Sequence, residues 1–223
     1  MSKKLIALIL LSSPLSCWAA WGSGFYLGAG IGADTTDFKV TSTPQKSGEF
    51  SVINNTEEAA QGVLGDLFGG YSWHYQWFYL AAELNGNLSS AKFTTSNNEL
   101  VHSSYSQTSY KINRSWGIGV LPGVLLPETT LLYGRVGYVD GDFHINTSDT
   151  SLVNANTWLD GLRLGVGLEK RIYKDFSIRA EYSHISYQKQ SGTASDPSIG
   201  FTKKTDVSPD SNQFEFAVDY RFG

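Results

Sequence analysis

A histidine and a serine stand two residues apart late in the chain, in His184-Ile185-Ser186. In a β-strand, residues at i and i+2 lie on the same face, so the two side chains can meet. A histidine beside a serine supplies the general base and the nucleophile of covalent hydrolysis. That chemistry also needs a third group to orient the histidine. No glutamate occurs between Gln188 and Gly200, so the sequence predicts that this pair lacks its orienting acid.

Ten charged residues share one face of the predicted strands and are a second place where chemistry could occur. They are Asp66, Glu83, Arg135, Arg163, Glu169, Arg179, Glu181, Glu215, Asp219 and Arg221. Carboxylate pairs are found in hydrolases, but ion-pair networks are commonly structural. Isolated charges in a narrow interior are costly, whereas paired and hydrogen-bonded charges are tolerated. We therefore predict a salt-bridged plug that fills a lumen.

Strands with a two-residue period must position these residues, and the last ten residues show that period most clearly. One face of this stretch is apolar and holds Phe214, Phe216, Val218, Tyr220 and Phe222. The other face holds Glu215, Ala217, Asp219 and Arg221. This pattern is typical of a membrane strand that faces lipid on one side and a polar lumen on the other. A half-buried strand of a soluble sandwich would alternate in the same way.

The same alternation recurs along the chain and predicts about eight strands. They cover residues 25–34, 63–73, 78–88, 116–122, 132–138, 162–169, 176–183 and 214–222. Polar segments at 35–58, 89–109, 140–156 and 188–211 predict long loops, which alternate with short turns at 74–76, 127–128 and 173–175. Pro122 is expected near a strand end, because proline cannot donate to a ladder.

An even strand number with alternating long and short connections predicts an all-β fold. The expected architecture is an eight-stranded antiparallel transmembrane β-barrel with up-and-down order. A soluble lipocalin-like barrel is the alternative, but it would bury its apolar face. Here the charged face also carries most of the glycines, for example Gly28, Gly30 and Gly32 in the first strand. Small residues on the crowded concave side favour the membrane barrel.

Composition and the N-terminus indicate secretion. The chain is 41% hydrophobic and 13% aromatic, with 23 glycines and a net charge of -4, and it has no basic cluster that would favour nucleic-acid binding. Lys3 and Lys4, an apolar run over 5–11 and small residues before Ala20 predict a signal peptide over residues 1–19 and a barrel domain over 20–223. Lipidation at Cys17, the single cysteine, is the alternative.

Three stretches resemble the small outer-membrane β-barrel family of OmpA-like, OmpX-like and Opa-like surface proteins. They are Phe25-Tyr26-Leu27-Gly28-Ala29, the segment from Leu131 to Tyr138, and the terminal strand from Phe214 to Phe222. The resemblance implies that the apolar residues of the terminal strand act as an assembly signal for the barrel-assembly machinery. It differs in one respect, since Gly223 follows the final phenylalanine. The His184–Ser186 pair looks like that of outer-membrane lipid A deacylases, but Tyr187 follows where that motif has asparagine.

The sequence predicts a monomer in the outer membrane with a structural or surface-interaction role, such as adhesion or envelope integrity. A narrow porin-like channel is the alternative, and a lipid A-modifying deacylase ranks third. Expected partners are outer-membrane lipid and lipopolysaccharide, and a host or cell-surface ligand of the exposed loops. No cofactor is expected. His74, His102 and His144 show no metal-ligand spacing, so no metal site is predicted.

Overall fold

We describe the protein from a computed structural model that defines residues 23–46, 50–97, 106–127, 129–147, 155–196 and 200–222. The predicted signal peptide, Cys17 and His102 lie outside these residues. Within them, no helix is long and apolar enough to cross a membrane.

The described residues form one antiparallel sheet of eleven strands. These are β1 (Gly24–Lys46), β2 (Phe50–Ser51), β3 (Asn54–Tyr75), β4 (Phe78–Ser89), β5 (Lys92–Asn97), β6 (Ser106–Leu126), β7 (Thr130–Thr147), β8 (Ala155–Tyr173), β9 (Phe176–Tyr187), β10 (Gln190–Asp196) and β11 (Phe201–Phe222).

Eight of these strands close into a ring. Neighbours follow the order β1-β3-β4-β6-β7-β8-β9-β11, and β11 pairs back with β1 from Phe25↔Phe222 to Lys46↔Phe201. The short strands β2, β5 and β10 each pair with one strand at one end of the ring. The predicted eight-stranded up-and-down barrel is therefore confirmed.

Three tight turns join β3 to β4, β6 to β7, and β8 to β9. Each contains one residue in the left-handed region: Gln76 (φ 54°), Thr129 (φ 62°) and Lys174 (φ 43°). A non-glycine residue tolerates this conformation at modest cost where the chain must reverse quickly. The turns lie where the sequence predicts them. They are at the same end of the barrel as the Phe25↔Phe222 pair, where the β1–β11 ladder begins.

The prediction of four long loops is wrong in large part, because strands continue through these segments. Strand β1 runs to Lys46 and β3 begins at Asn54, so most of residues 35–58 is paired. Strands β5, β6, β7, β8, β10 and β11 likewise enter the other three segments. Their serine and threonine content suggested loops, yet β-branched threonines and an alternating pattern are compatible with strands. The 22 residues of β11 exceed the roughly 9–11 that span a membrane.

The barrel exterior carries an apolar band with aromatic residues at both margins. Around the tight-turn end, Phe25 packs on Tyr71 and Phe176 packs on Tyr220, each with ring centroids 5.0 Å apart. At the other margin, Trp116 meets Tyr138 at 6.0 Å. The apolar face of β11 is exposed along this band, whereas its alternate residues are buried inside. An apolar exterior bounded by aromatic girdles is the arrangement of a transmembrane barrel.

Pro122 lies inside β6 rather than at its end. The strand continues to Leu126, and Pro122 still pairs with Leu80 of β4. On the other side, the β6–β7 ladder has no pair between Val120↔Val136 and Gly123↔Tyr133. The missing proline N–H is thus accommodated by a local interruption of one ladder.

Candidate functional site

All ten predicted inward charges are buried inside the barrel. None exposes more than 6% of its surface. They come from β3, β4, β7, β8, β9 and β11, because the two-residue period aims alternate residues of every strand at the lumen.

Seven of the ten charges form one continuous chain of alternating sign across the lumen. Arg135 bridges Glu83 (2.5 Å) and Glu181 (2.7 Å), and Arg163 approaches Glu181 at 3.2 Å. On the other side, Arg179 contacts Glu83 at 2.8 Å, while Glu169 joins Arg179 and Arg221 at 3.4 and 3.1 Å. Each glutamate therefore contacts two guanidinium groups. Such pairing compensates the desolvation of charges that would otherwise be costly to bury.

Aromatic side chains complete this layer, which we call the charged plug. The Tyr26 hydroxyl donates to Glu83 (2.8 Å), and the Tyr133 hydroxyl donates to Glu181 (2.6 Å). The Arg179 guanidinium lies 4.3 Å from the ring centroid of Phe68, within the range of cation–π contacts. In the plug, the guanidinium of an arginine therefore packs against an aromatic ring, and the glutamates accept hydrogen bonds from tyrosine hydroxyls.

Glycines opposite these rings give them room. A Cβ at Gly167 would lie 2.3 Å from the Tyr133 ring, and a Cβ at Gly28 would lie 2.2 Å from the Phe68 ring. Real Cβ atoms do not approach a packed ring so closely. The glycine-rich inner wall thus belongs to the plug and does not leave an open bore.

Three carboxylates lie outside the ion-pair chain: Asp66, Glu215 and Asp219. Both carboxylate oxygens of Asp219 and one of Asp66 lack a hydrogen-bond partner among the described residues. The chain of four arginines and three glutamates has a formal charge of +1, so these three carboxylates leave the ten residues at a formal -2. A buried carboxylate without partners is destabilising in its charged form.

The outer half of the lumen is filled by an apolar cluster that the sequence analysis missed. At its centre, Phe38, Tyr110 and Phe143 form a triangle of rings with centroids 5.8 to 6.5 Å apart. The surrounding members include Val139, Leu159 and Ile185. We call this layer the aromatic cap. Phe38 and Phe143 lie in segments that the sequence analysis predicts as loops. Each alternates with polar neighbours, and this alternation could have identified them as strand residues that face the lumen.

A small polar space separates the two layers. Its volume is about 10 Å³, which corresponds to about one water molecule, and it is lined in part by Asp34, Ser89 and Ser211. The Asp34 carboxylate accepts hydrogen bonds from both of these serine hydroxyls, at 2.6 and 2.5 Å. The lumen is therefore filled at two levels.

The His184–Ser186 pair lies outside the barrel, at the margin of the apolar band. His184 Nε2 lies 3.2 Å from Ser186 Oγ. His184 Nδ1 lies 2.9 Å from Oδ1 of Asn212, the residue paired with His184 across the β9–β11 ladder. Residues 188–200 contain no glutamate, as the sequence analysis states, and the amide of Asn212 on the neighbouring strand lies beside His184 instead. Sequence periodicity could not find it, because strand register was needed.

The other described histidines have ordinary partners. His74 Nε2 contacts the Gln76 carbonyl at 2.5 Å in a tight turn. His144 lies between Asp142 (3.0 Å) and Asn156 (2.7 Å) on the outer part of the barrel. Within the described part of the chain, no group of three or more histidine, cysteine, aspartate or glutamate residues could hold a metal ion.

A family model for the outer membrane protein beta-barrel domain matches residues 5–222. The chain belongs to this family. Membership implies an outer-membrane location for the barrel. No curated protein matches the chain in sequence.

Several solved outer-membrane barrels are similar in structure at low identity. OprG from Pseudomonas aeruginosa has a TM-score of 0.54 at 12% identity, covering 90% of this chain and 98% of that chain. Neisserial surface protein A gives 0.46 at 12% identity with the same coverages. The attachment invasion locus protein Ail of Yersinia pestis gives 0.36 at 12% identity, covering 82% of this chain and 98% of that chain. The OprG likeness shows the fold alone.

Proposed function

We propose that this protein is a monomeric outer-membrane barrel with a closed lumen and a structural or surface-interaction role, in adhesion or envelope integrity. The observation that carries the proposal is the filling of the lumen at two levels, by the charged plug and the aromatic cap. Eight strands enclose an interior only wide enough for side chains, so a filled lumen disfavours transport.

The projecting part of the barrel supports a role at the cell surface. Strands β1 and β11 remain paired from the membrane margin to Lys46↔Phe201. With a strand rise of about 3.3 Å per residue, this ladder continues well beyond an apolar band about 25 Å tall. A long paired surface of this kind could present a binding face to a host or cell-surface ligand.

The remaining partners follow from the exterior. The apolar band would contact outer-membrane lipid and lipopolysaccharide, and the terminal strand would be recognised by the barrel-assembly machinery. Residues 1–19 would be removed as a signal peptide after export, with lipidation at Cys17 as the alternative. Mass measurement of the mature N-terminus distinguishes these two products. A narrow channel is the alternative function, and electrical recording in planar bilayers distinguishes it from a closed barrel.

Shortening one outer hairpin tests the proposed role. Removing Thr41–Asn55 and joining Val40 to Thr56 by a short turn keeps Phe38 and the whole membrane band. Cells that carry the wild-type protein, the shortened protein or no protein are compared for attachment to cell and matrix surfaces and for detergent resistance.

The shortened barrel should fold, should retain detergent resistance and should lose attachment. If loss of the whole protein changes neither property, the proposed role is wrong. If attachment persists in the shortened barrel but disappears without the protein, the binding face lies on another part of the surface. Folding of each form is checked by its heat-dependent migration on gels.

A further inference from the structure

The outer half of the barrel wall divides into two four-stranded sheets. The β3–β4 ladder ends at Leu64↔Ser89, and the β8–β9 ladder ends at Gly161↔Tyr187. Among the described residues beyond these pairs, β5 follows β4 but pairs only with β6, and β10 follows β9 but pairs only with β11. One sheet therefore has the order β5-β6-β7-β8 and the other β10-β11-β1-β3, with the aromatic cap between them.

Two seams separate these sheets, one between β3 and β5 and one between β8 and β10. At the base of the β8–β10 seam, the Gln188 N–H donates to the Asp160 carbonyl at 2.7 Å. Beyond it, no backbone hydrogen bond joins β8 to β10 in the part of the chain that the structure describes. Most Cα atoms of β10 lie more than 8 Å from every Cα atom of β8, whereas paired strands lie about 4.8 Å apart. Residues 155–159 and 190–196 thus present unpaired edges to each other.

The edges of the β8–β10 seam lack the features that prevent strand pairing in other proteins. Exposed edges are commonly protected by charged side chains, proline or bulges. Residues 155–159 and 190–196 contain no proline, and their only charged side chain is Asp196. The other seam is narrower, since several Cα atoms of β3 and β5 approach within 8 Å, and its edges carry Glu57, Glu58 and Lys92. The β8–β10 seam is therefore the one that can accept a strand.

A strand that fills this seam must have two free edges of its own. Every strand in the described ranges of this chain already pairs with a neighbour, so a second copy could approach one edge but could not enter between both. A lipid chain offers neither donors nor acceptors to the unpaired backbone N–H and C=O groups. An extended peptide offers both along each of its edges.

The walls of the seam set the side-chain pattern of such a peptide. Its inward positions would face the rim of the aromatic cap, where Leu159 and Val207 are buried. Its outward positions would lie beside Trp158 and Thr193, which are exposed. A segment of about five to seven residues that alternates apolar with polar side chains fits, because residues i and i+2 of a strand share a face.

From these observations we propose that the β8–β10 seam binds an extended peptide segment of another protein by strand addition to both edges. The peptide completes the outer wall through backbone hydrogen bonds to β8 and β10, and its apolar side chains pack against the aromatic cap. This site goes beyond the proposed attachment role, because it is separate from the β1–β3 hairpin on which that role is tested. Either result can therefore fail alone.

Backbone methylation of a probe peptide tests strand addition. The probe is a short peptide that alternates valine with threonine, and its affinity for the folded full protein in detergent is measured by fluorescence anisotropy. Successive N–H groups of a strand point to opposite edges, so N-methylation of the odd or of the even residues blocks one edge at a time. Each methylated peptide should bind at least about 10-fold more weakly than the parent, because it loses the hydrogen bonds of one edge.

The outcomes of this titration separate two-sided insertion from other modes. A parent peptide that fails to bind, or that binds equally well after either methylation, overturns the proposal. Weaker binding after methylation of one set alone shows addition to a single edge and also overturns it. Self-association of the barrel without peptide binding, measured by analytical ultracentrifugation, would assign the seam to a second copy and would likewise overturn it.

Cysteine cross-linking locates the bound peptide. Thr193 on β10 and Thr94 on β5 are both exposed, so Thr193→Cys and Thr94→Cys form a matched pair at the two seams. Cys17, the single native cysteine, lies in the predicted signal peptide. A probe peptide with an activated disulfide should react at least about 10-fold faster with Thr193→Cys, because binding raises its effective concentration there. Equal rates for the two variants would place the peptide elsewhere and would overturn the proposal.

Discussion

Glu83 and Asp219 are both buried carboxylates of the lumen, but their surroundings differ. Glu83 contacts Arg135 and Arg179 at 2.5 and 2.8 Å, whereas both oxygens of Asp219 lack a hydrogen-bond partner among the described residues. Removing one member of a buried ion pair costs about 3–5 kcal/mol, because the remaining charge is uncompensated. Glu83→Gln should therefore destabilise the barrel strongly.

Asp219→Asn is the matched substitution, and its effect on the stability of the barrel should have the opposite sign. An unpartnered buried charge is replaced by a neutral group of the same shape, so stability should be unchanged or higher by up to about 1–3 kcal/mol. The temperature at which each variant loses its folded migration on gels measures both effects. Equal destabilisation by the two changes would contradict the assignment of Asp219 as a residue outside the ion-pair chain.

Gly167 and Gly65 differ in the space beside them. A methyl group at Gly167 would meet the Tyr133 ring at 2.3 Å, while one at Gly65 would meet nothing within 4 Å. Gly167→Ala should destabilise the barrel by about 1–3 kcal/mol through overpacking. Gly65→Ala should be neutral or slightly stabilising, since alanine restricts the unfolded chain. Thermal unfolding in detergent compares them, and a tolerated Gly167→Ala would mean that the charged plug is loosely packed.

At the scale of the element, strand β11 combines an apolar face towards lipid with a charged face towards the lumen. Phe216 is 58% exposed on the band, whereas Glu215 is 5% exposed inside. Phe216→Asp or Phe222→Asp should impair assembly, because a carboxylate then faces lipid or its margin. A lysine or arginine that faces lipid at the bilayer midplane costs about 2–4 kcal/mol, and the free-energy cost of an aspartate should be smaller.

The control lies on the same strand and the same face. Ser208→Asp places a carboxylate beyond the apolar band and should assemble as wild type does. The amount of folded barrel in outer-membrane fractions measures each variant. Wild-type amounts of Phe216→Asp would show that the faces of β11 are assigned incorrectly.

The sequence predicted the membrane halves of the strands but not their outer halves. Alternation from Phe214 to Phe222 contrasts large apolar with charged residues, so the period is obvious. From Thr35 to Ser42 the outward residues are polar and many inward residues are small, so only Phe38 and Val40 mark the lumen face. The Asn212–His184 pairing also escaped prediction, because it depends on register between strands and not on the pattern within one strand.

At the scale of the whole molecule, the barrel is a filled cylinder with three successive layers. The charged plug lies in the membrane half, a polar space for about one water follows, and the aromatic cap fills the outer half. The strand number was predictable from sequence, and eight strands leave room only for side chains. The cap was not predictable as a layer, because its rings come from β1, β6 and β7 and meet only in the closed ring.

Electrical recording in planar bilayers tests the closed lumen most directly. The wild-type protein should be silent, because the Arg135–Glu83–Arg179 ion pairs cross the lumen and the aromatic cap covers them. Glu83→Ala and Arg135→Ala should show new openings, since each removes side chains that fill the plug. Ser208→Ala, outside the barrel, should remain silent. Steady currents through the wild-type protein would contradict the account and establish a channel.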